Sequence, residues 1–353
     1  MAYTTISKST DYFDTKLHNG NATAKTLAYD FEVDMFWTKM RNDAYPHNLY
    51  DVVRGNNQRL RTNGNNADSV TGHTVSFGNS AGISLGTDSG NYGVNKTQTD
   101  GGSQATYAGW GWKAGGTGSS NTDGTITSTV SANTTAGFSI VKYYGDNAST
   151  ATIGHGLGVA PEMIISKNLS TSSNADWATY HKDLDSNKNL FINSTSGQVT
   201  PSYGTITGAT SSVINVSKGS GNQTNSSHNF IMYCFAPKTG YSKMGSYIGN
   251  GNVDGTFVCT GFKPKFILTK MTSASGNGWG VFDDKRNGHN PWNAFFQAQL
   301  SSAETSIDRL DILSNGFKPR YDWNFINQSG QSYIYLAFGQ SLVGTNNVPC
   351  TAR

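Results

Sequence analysis

Two pairs of carboxylates are the first residues in this chain of 353 that could do chemistry. Asp183 with Asp185, and Asp283 with Asp284, have the residue types a glycoside hydrolase uses as acid and base. Each pair ends an aromatic run, Trp177-Ala-Thr-Tyr-His181 in one case and Trp279-Gly-Val-Phe-Asp283 in the other. Asp after a strand commonly opens a turn, because its side chain bonds the backbone two residues on. Turn chemistry is therefore the expectation for all four, no catalytic residue is assigned, and the protein is read as a non-enzyme. The seven histidines, at 18, 47, 73, 155, 181, 228 and 289, make neither an HExxH motif nor a close pair, so no metal site is expected. No GxSxG elbow occurs. The glycine-rich run 115–124 lacks the Gly-Lys-Ser/Thr ending of a phosphate loop and opens no helical pattern. No cofactor is expected. Cys234, Cys259 and Cys350 are odd in number and far apart, which predicts unpaired thiols and assembly in a reducing cytoplasm.

Aromatic residues offer a second kind of chemistry. Trp292, Tyr321 and Trp323 stand in segments with no counterpart elsewhere in the chain. An aromatic body with a polar edge suits a wet interface, so these three are the candidate glycan-binding residues. Trp292 has a competing reading: with Phe295, Phe296 and Leu300 it follows a helical spacing that predicts one or two turns. Trp177 and Trp279 occupy one column of a repeat and read as core residues.

That repeat organises everything else. Gly261-Phe-Lys-Pro-Lys-Phe-Ile-Leu-Thr-Lys270 has a second copy in Gly158-Val-Ala-Pro-Glu-Met-Ile-Ile-Ser-Lys167 and a divergent third in Phe31-Glu-Val-Asp-Met-Phe-Trp-Thr-Lys39. Each is a short apolar strand ending in a hydroxyl residue and a Lys. Closing strands match too: Tyr107, Phe230 and Tyr333 align, then Trp112, Phe235 and Phe338. Matching at both ends predicts a real repeat of about 90–100 residues, which is domain-sized. Short apolar runs between turn residues predict an all-β protein of tandem antiparallel β-sandwich, jelly-roll-like domains in three divergent copies. The expected division is a polar arm over 1–16, β domains over 17–114, 138–240 and 241–353, and a Gly/Ser/Thr-rich linker, flexible or turn-rich, over 115–137.

Composition excludes several classes. Charged residues are only 14% and aromatics 12%, which is not a disordered composition. A net charge of +3 with no Lys/Arg block gives no nucleic-acid footprint; Arg54, Arg59 and Arg61 are the densest cluster. No apolar run approaches a membrane span, and the N-terminus has no secretory pattern, so no membrane insertion is expected.

Several motifs together carry a resemblance over nearly the whole chain. They are Ser9-Thr-Asp-Tyr-Phe-Asp14, Asp51-Val-Val-Arg-Gly55, Ser119-Ser-Asn-Thr-Asp-Gly-Thr-Ile-Thr-Ser-Thr-Val130, His155-Gly-Leu-Gly-Val-Ala-Pro161, Gly249-Asn-Gly-Asn252, Leu313-Ser-Asn-Gly-Phe317, and Val343-Gly-Thr-Asn-Asn-Val-Pro349 with Thr351-Ala-Arg353. With them the chain resembles the repeated β-domain virion proteins, tail-fibre-like or structural, of marine tailed phages of the cyanophage and pelagiphage type. It departs from that pattern at Val33-Asp34, where a Pro is usual, and at Cys350, where Ala is usual. The resemblance implies a virion structural protein, assembled in the host cytoplasm and released by lysis. It also implies contact with other virion proteins through the N-terminal arm, and a homo-oligomer, a trimer above all. A tail fibre or adhesin touching a host surface glycan is the expected role. A head fibre, capsid decoration protein or tail adaptor is the alternative, and a polysaccharide depolymerase the third.

Overall fold

In the computed structural model, residues 4–72, 74–88, 92–341 and 343 are described. The motif copies beyond 343, Cys350 and His73 lie outside them. The described residues are all-β, with a single three-residue 3-10 turn among them, Ser9–Asp11, beside the strands.

Each repeat builds one sheet in the same order. An opening strand (Phe13–Asn19, Phe138–Tyr144, Ser242–Ile248) pairs with the closing strand (Thr106–Trp112, Asn229–Phe235, Ser332–Ser341). The closing strand pairs with the signature strand (Met35–Met40, Met163–Asn168, Phe262–Met271). The signature strand pairs with a fourth (Asn48–Asp51, Ala178–His181, Trp279–Asp283), and that with a fifth (Gln58–Arg61, Leu190–Phe191, Trp292–Gln297). All pairings are antiparallel. Three further strands cover one face: Lys25–Ala28, Gly82–Leu85 and Val75–Asn79 in the first unit, and Thr150–Gly154, Val213–Ser217 and Thr205–Ala209 in the second. In the third unit the equivalents, Val258–Cys259, Gly316–Pro319 and Thr305–Leu313, join the main sheet through Trp292–Gln297, giving one curled eight-stranded sheet. These are the β-sandwiches that short apolar runs between turn residues predict.

The signature strands are buried at every position from Met35 to Met40 and from Met163 to Asn168. Side chains alternate across a strand, so both faces of these sheets are covered. One face meets its own covering strands: Phe36, Ile164 and Ile267 lie in three separate sandwich cores. The other face meets the other two units. Met35, Trp37, Met163, Ile165, Phe266 and Leu268 share a single central core with Trp112, Phe235 and Phe338. Gly109 and Gly111 alternate with Trp110 and Trp112 because the sandwich side has no room. A Cβ there would stand 2.7 Å from the Phe36 ring and 2.8 Å from the Tyr29 ring.

Two boundaries move and one element changes type. The first unit opens at Phe13, not at 17, since Phe13–Asn19 pairs in full with the closing strand. Residues ahead of it pack on the third unit. Ile6 is in the central core, and Ser9 donates to Gln340 Oε1 from both N and Oγ, at 3.1 and 2.9 Å. The stretch expected as a flexible linker carries two strands, Ser119–Asn121 and Ser128–Asn133, which extend the second sheet because Val130 and Ile126 supply buried side chains. The helical turns expected over 292–300 are a strand, Trp292–Gln297. The Asn287 side chain accepts from the N–H groups of Asn293 and Ala294 at its start, and it pairs with Thr305–Leu313.

Candidate functional site

The three units close into a ring through equivalent contacts. Asp68 N–H donates to Leu169 O, Gln198 N–H to Thr272 O, and Glu304 N–H to Arg41 O. Each acceptor is two residues past the signature Lys of the next unit. The indole of Trp177 donates back to Arg61 O and Gly64 O of the first unit, and that of Trp279 to Phe191 O of the second. His47 holds the corresponding position in the first unit and accepts the Trp37 indole N–H at 3.1 Å.

Asp283 belongs to this ring. Its carboxylate pairs with the Arg286 Nε at 2.5 Å and accepts the Trp110 indole N–H of the first unit at 3.0 Å. Asp51 does the same with Arg54 and with the Tyr233 hydroxyl of the second unit, at 2.5 and 2.7 Å. Arg54 and Arg286 reach on to Asp68 and Glu304, and Arg41 crosses from the first unit to Glu304 at 2.8 Å. At the remaining joint the pattern is replaced by neutral groups: His181, Leu184 and Leu336 stand where the others have Asp, Arg and Trp or Tyr. Burial holds His181 down to about 4, so it is neutral. The four carboxylates are thus turn and joint residues. Asp183 pairs with Lys182, Asp185 accepts from Gln198, and half-buried Asp284 is pushed up to about 6 by desolvation.

The signature Lys residues sit at the same joints. Lys39 donates to Met40 O and Asp43 O, Lys167 to Asn168 O, and Lys270 to Met271 O and Asn277 O. Desolvation brings Lys39 and Lys270 down to about 7 and Lys167 to about 8. In the unfolded chain all three return to the 10.5 of free Lys. Between these values the unfolded chain binds more protons, so stability rises with pH, by up to about 1.4 kcal/mol per pH unit for each Lys. The melting temperature should therefore climb from about pH 7 to about pH 9, and Lys39→Met should flatten that climb. A flat or falling profile in wild type would contradict the burial of three neutral amines.

Of the aromatic trio, Trp292 is only 3% exposed and lies in the third sandwich core, which gives it a packing role and removes it from any platform. Trp323 is half-buried. Its ring stacks on Phe325 at 4.6 Å, while the Arg309 guanidinium lies 3.6 Å from its centre. Two groups that close must occupy opposite faces, so neither face of Trp323 is open to a sugar. Tyr321 is exposed at 41%, with Arg309 5.5 Å from its ring. The structure thus brings Tyr321 and Trp323 together around a residue the sequence reading passed over, Arg309. The signal was present: Leu310 and Ile312 face the core, so Arg309 and Asp311 must face the other way. Asp311 pairs with Arg320 at 3.0 Å, and Asp254 takes Lys318 and Arg320. This cluster at the third unit's surface is the candidate site. No group of His, Cys, Asp or Glu among the described residues is placed to hold a metal, and no helix among them is long and apolar enough to cross a membrane. Cys234 is buried and Cys259 exposed, both as thiols.

No curated protein and no solved structure matches the chain. A family model described as a domain of unknown function, DUF7483, matches residues 8–341 in one span, from the 3-10 turn to the end of the last closing strand. The chain, with all three units, belongs to the DUF7483 family.

Proposed function

We propose that this protein is a non-enzymatic structural component of a tailed-phage virion, a tail fibre or adhesin that touches a host surface glycan through its third unit. The observation that carries this reading is the exposed Tyr321 beside Arg309 and Trp323 on the surface of the third unit. An aromatic with a polar edge at a wet surface suits sugar rings. Closing three units into one ring fixes the site's geometry, and repeated copies on a particle would turn weak contacts into avidity. The resemblance of the motifs to marine phage virion proteins supports the same role. The partners this reading calls for are other virion proteins and further copies of the chain. Docking through the arm would use its exposed residues, because Ile6 lies in the shared central core and Ser9 is bonded to the chain's own third unit. A head fibre, capsid decoration protein or tail adaptor is the second reading, favoured by the ring itself, which suits a compact block better than a jointed fibre.

Cryo-EM of the intact particle tests this. Density for the ring at the tail, with Tyr321 turned outward, is the expected result. Density on the capsid lattice would overturn the adhesin in favour of decoration, and particles lacking the chain would overturn both.

A further inference from the structure

We propose that Arg309 anchors the carboxylate of an acidic sugar, with Tyr321 as the adjoining stacking surface. This rests on the glycan-binding reading above and narrows its ligand to uronate-type residues.

Arg309 is 3% exposed, and its Nε is buried with no hydrogen-bond partner. Among the described residues no ion pair engages it; its contacts are the rings of Trp323, Tyr321 and Phe295, at 3.6, 5.5 and 5.7 Å. Asp311 is paired with Arg320, and Asp254 with Lys318 and Arg320, while Asp322, between Tyr321 and Trp323 in the chain, is exposed and forms no ion pair with Arg309. A guanidinium taken out of water without a counter-charge is unfavourable, and desolvation lowers this one to about 10. Held 3.6 Å from the centre of the Trp323 ring, the guanidinium is positioned by the protein, and a fork of this kind matches a planar carboxylate in two parallel hydrogen bonds. An acidic sugar supplies both missing parts: the carboxylate completes Arg309, and the ring lies against Tyr321. Arg59 is also stacked, 4.5 Å from the Tyr92 ring, with an unpartnered Nε. Its strongest charged neighbour is a second cation, Arg61, and it has no aromatic as exposed as Tyr321 beside it.

The test is calorimetric titration of the full chain with an oligouronate, its carboxyl-reduced neutral counterpart, and a sulfated oligosaccharide of equal length. The oligouronate should bind at least about tenfold more tightly than the neutral form, the worth of one charge-assisted hydrogen bond or more. Arg309→Lys, which keeps charge but loses the fork, should lose a similar factor, measured on protein whose circular dichroism shows it folded at the titration temperature. Tyr321→Ala should weaken all sugars alike. Equal affinity for acidic and neutral forms, full affinity in Arg309→Lys, or preference for the sulfated form would overturn the inference. Of these, binding of the neutral form leaves the glycan reading intact. Failure of every sugar to bind would overturn both.

Discussion

Asp283→Ala should lower the unfolding free energy by about 3–5 kcal/mol, the range for removing one partner of a buried ion pair. Both side chains of the Asp283–Arg286 pair are inaccessible to solvent. The carboxylate also accepts the N–H groups of Lys285 and Arg286 and the Trp110 indole, so its loss strands a buried guanidinium and an indole donor together. Arg286 would keep only Val281 O and Glu304. Asp51→Ala should lose a similar amount, since Arg54 is equally buried and Tyr233 stands where Trp110 does. The equivalent change at the neutral joint, His181→Ala, strands no charge and should be milder. Equilibrium urea unfolding of the three variants gives the comparison. Equal losses at all three positions would mean that the Asp–Arg pairs do not bind the ring together.

Trp177→Ala is the other large effect, with an expected loss of about 3–5 kcal/mol. Trp177 is fully buried in the central core and donates to Arg61 O and Gly64 O at 3.1 and 3.0 Å, so it joins two units by packing and by hydrogen bonding. Trp177→Phe separates the two contributions. It keeps most of the buried ring and should lose about 1–2 kcal/mol for the orphaned carbonyls. If the phenylalanine variant were as damaged as the alanine variant, the hydrogen bonds rather than the packing would dominate this joint.

Much of the architecture is legible in the residues. The hydroxyl–Lys endings at Thr38-Lys39, Ser166-Lys167 and Thr269-Lys270 mark three copies of one strand, and the structure pairs each with its own closing strand. The central core is written less plainly. Its signal is that Phe230–Phe235 and Tyr333–Phe338 are apolar on both faces, whereas a sandwich strand with one wet face would alternate. Periodicity reports that a second face is buried but not what buries it, and another unit of the same chain is a long-range answer. The stretch 115–137 reads as a linker from its Gly, Ser and Thr, yet a few buried side chains suffice to pin it as an edge hairpin. Trp292 misleads because a short apolar run satisfies helical and strand spacing alike. In the candidate site, Tyr321 and Trp323 stand out as aromatics. Arg309 can be placed opposite Leu310 and Ile312 by strand alternation, but its approach to the Trp323 indole is visible only in the fold.

The central claim is that three repeats share one core and so form one cooperative body. Scanning calorimetry of the full chain tests this most directly. A single transition whose calorimetric and van't Hoff enthalpies agree is expected. Separate transitions, or a calorimetric enthalpy well above the van't Hoff value, would show three domains melting independently and would contradict the closed ring.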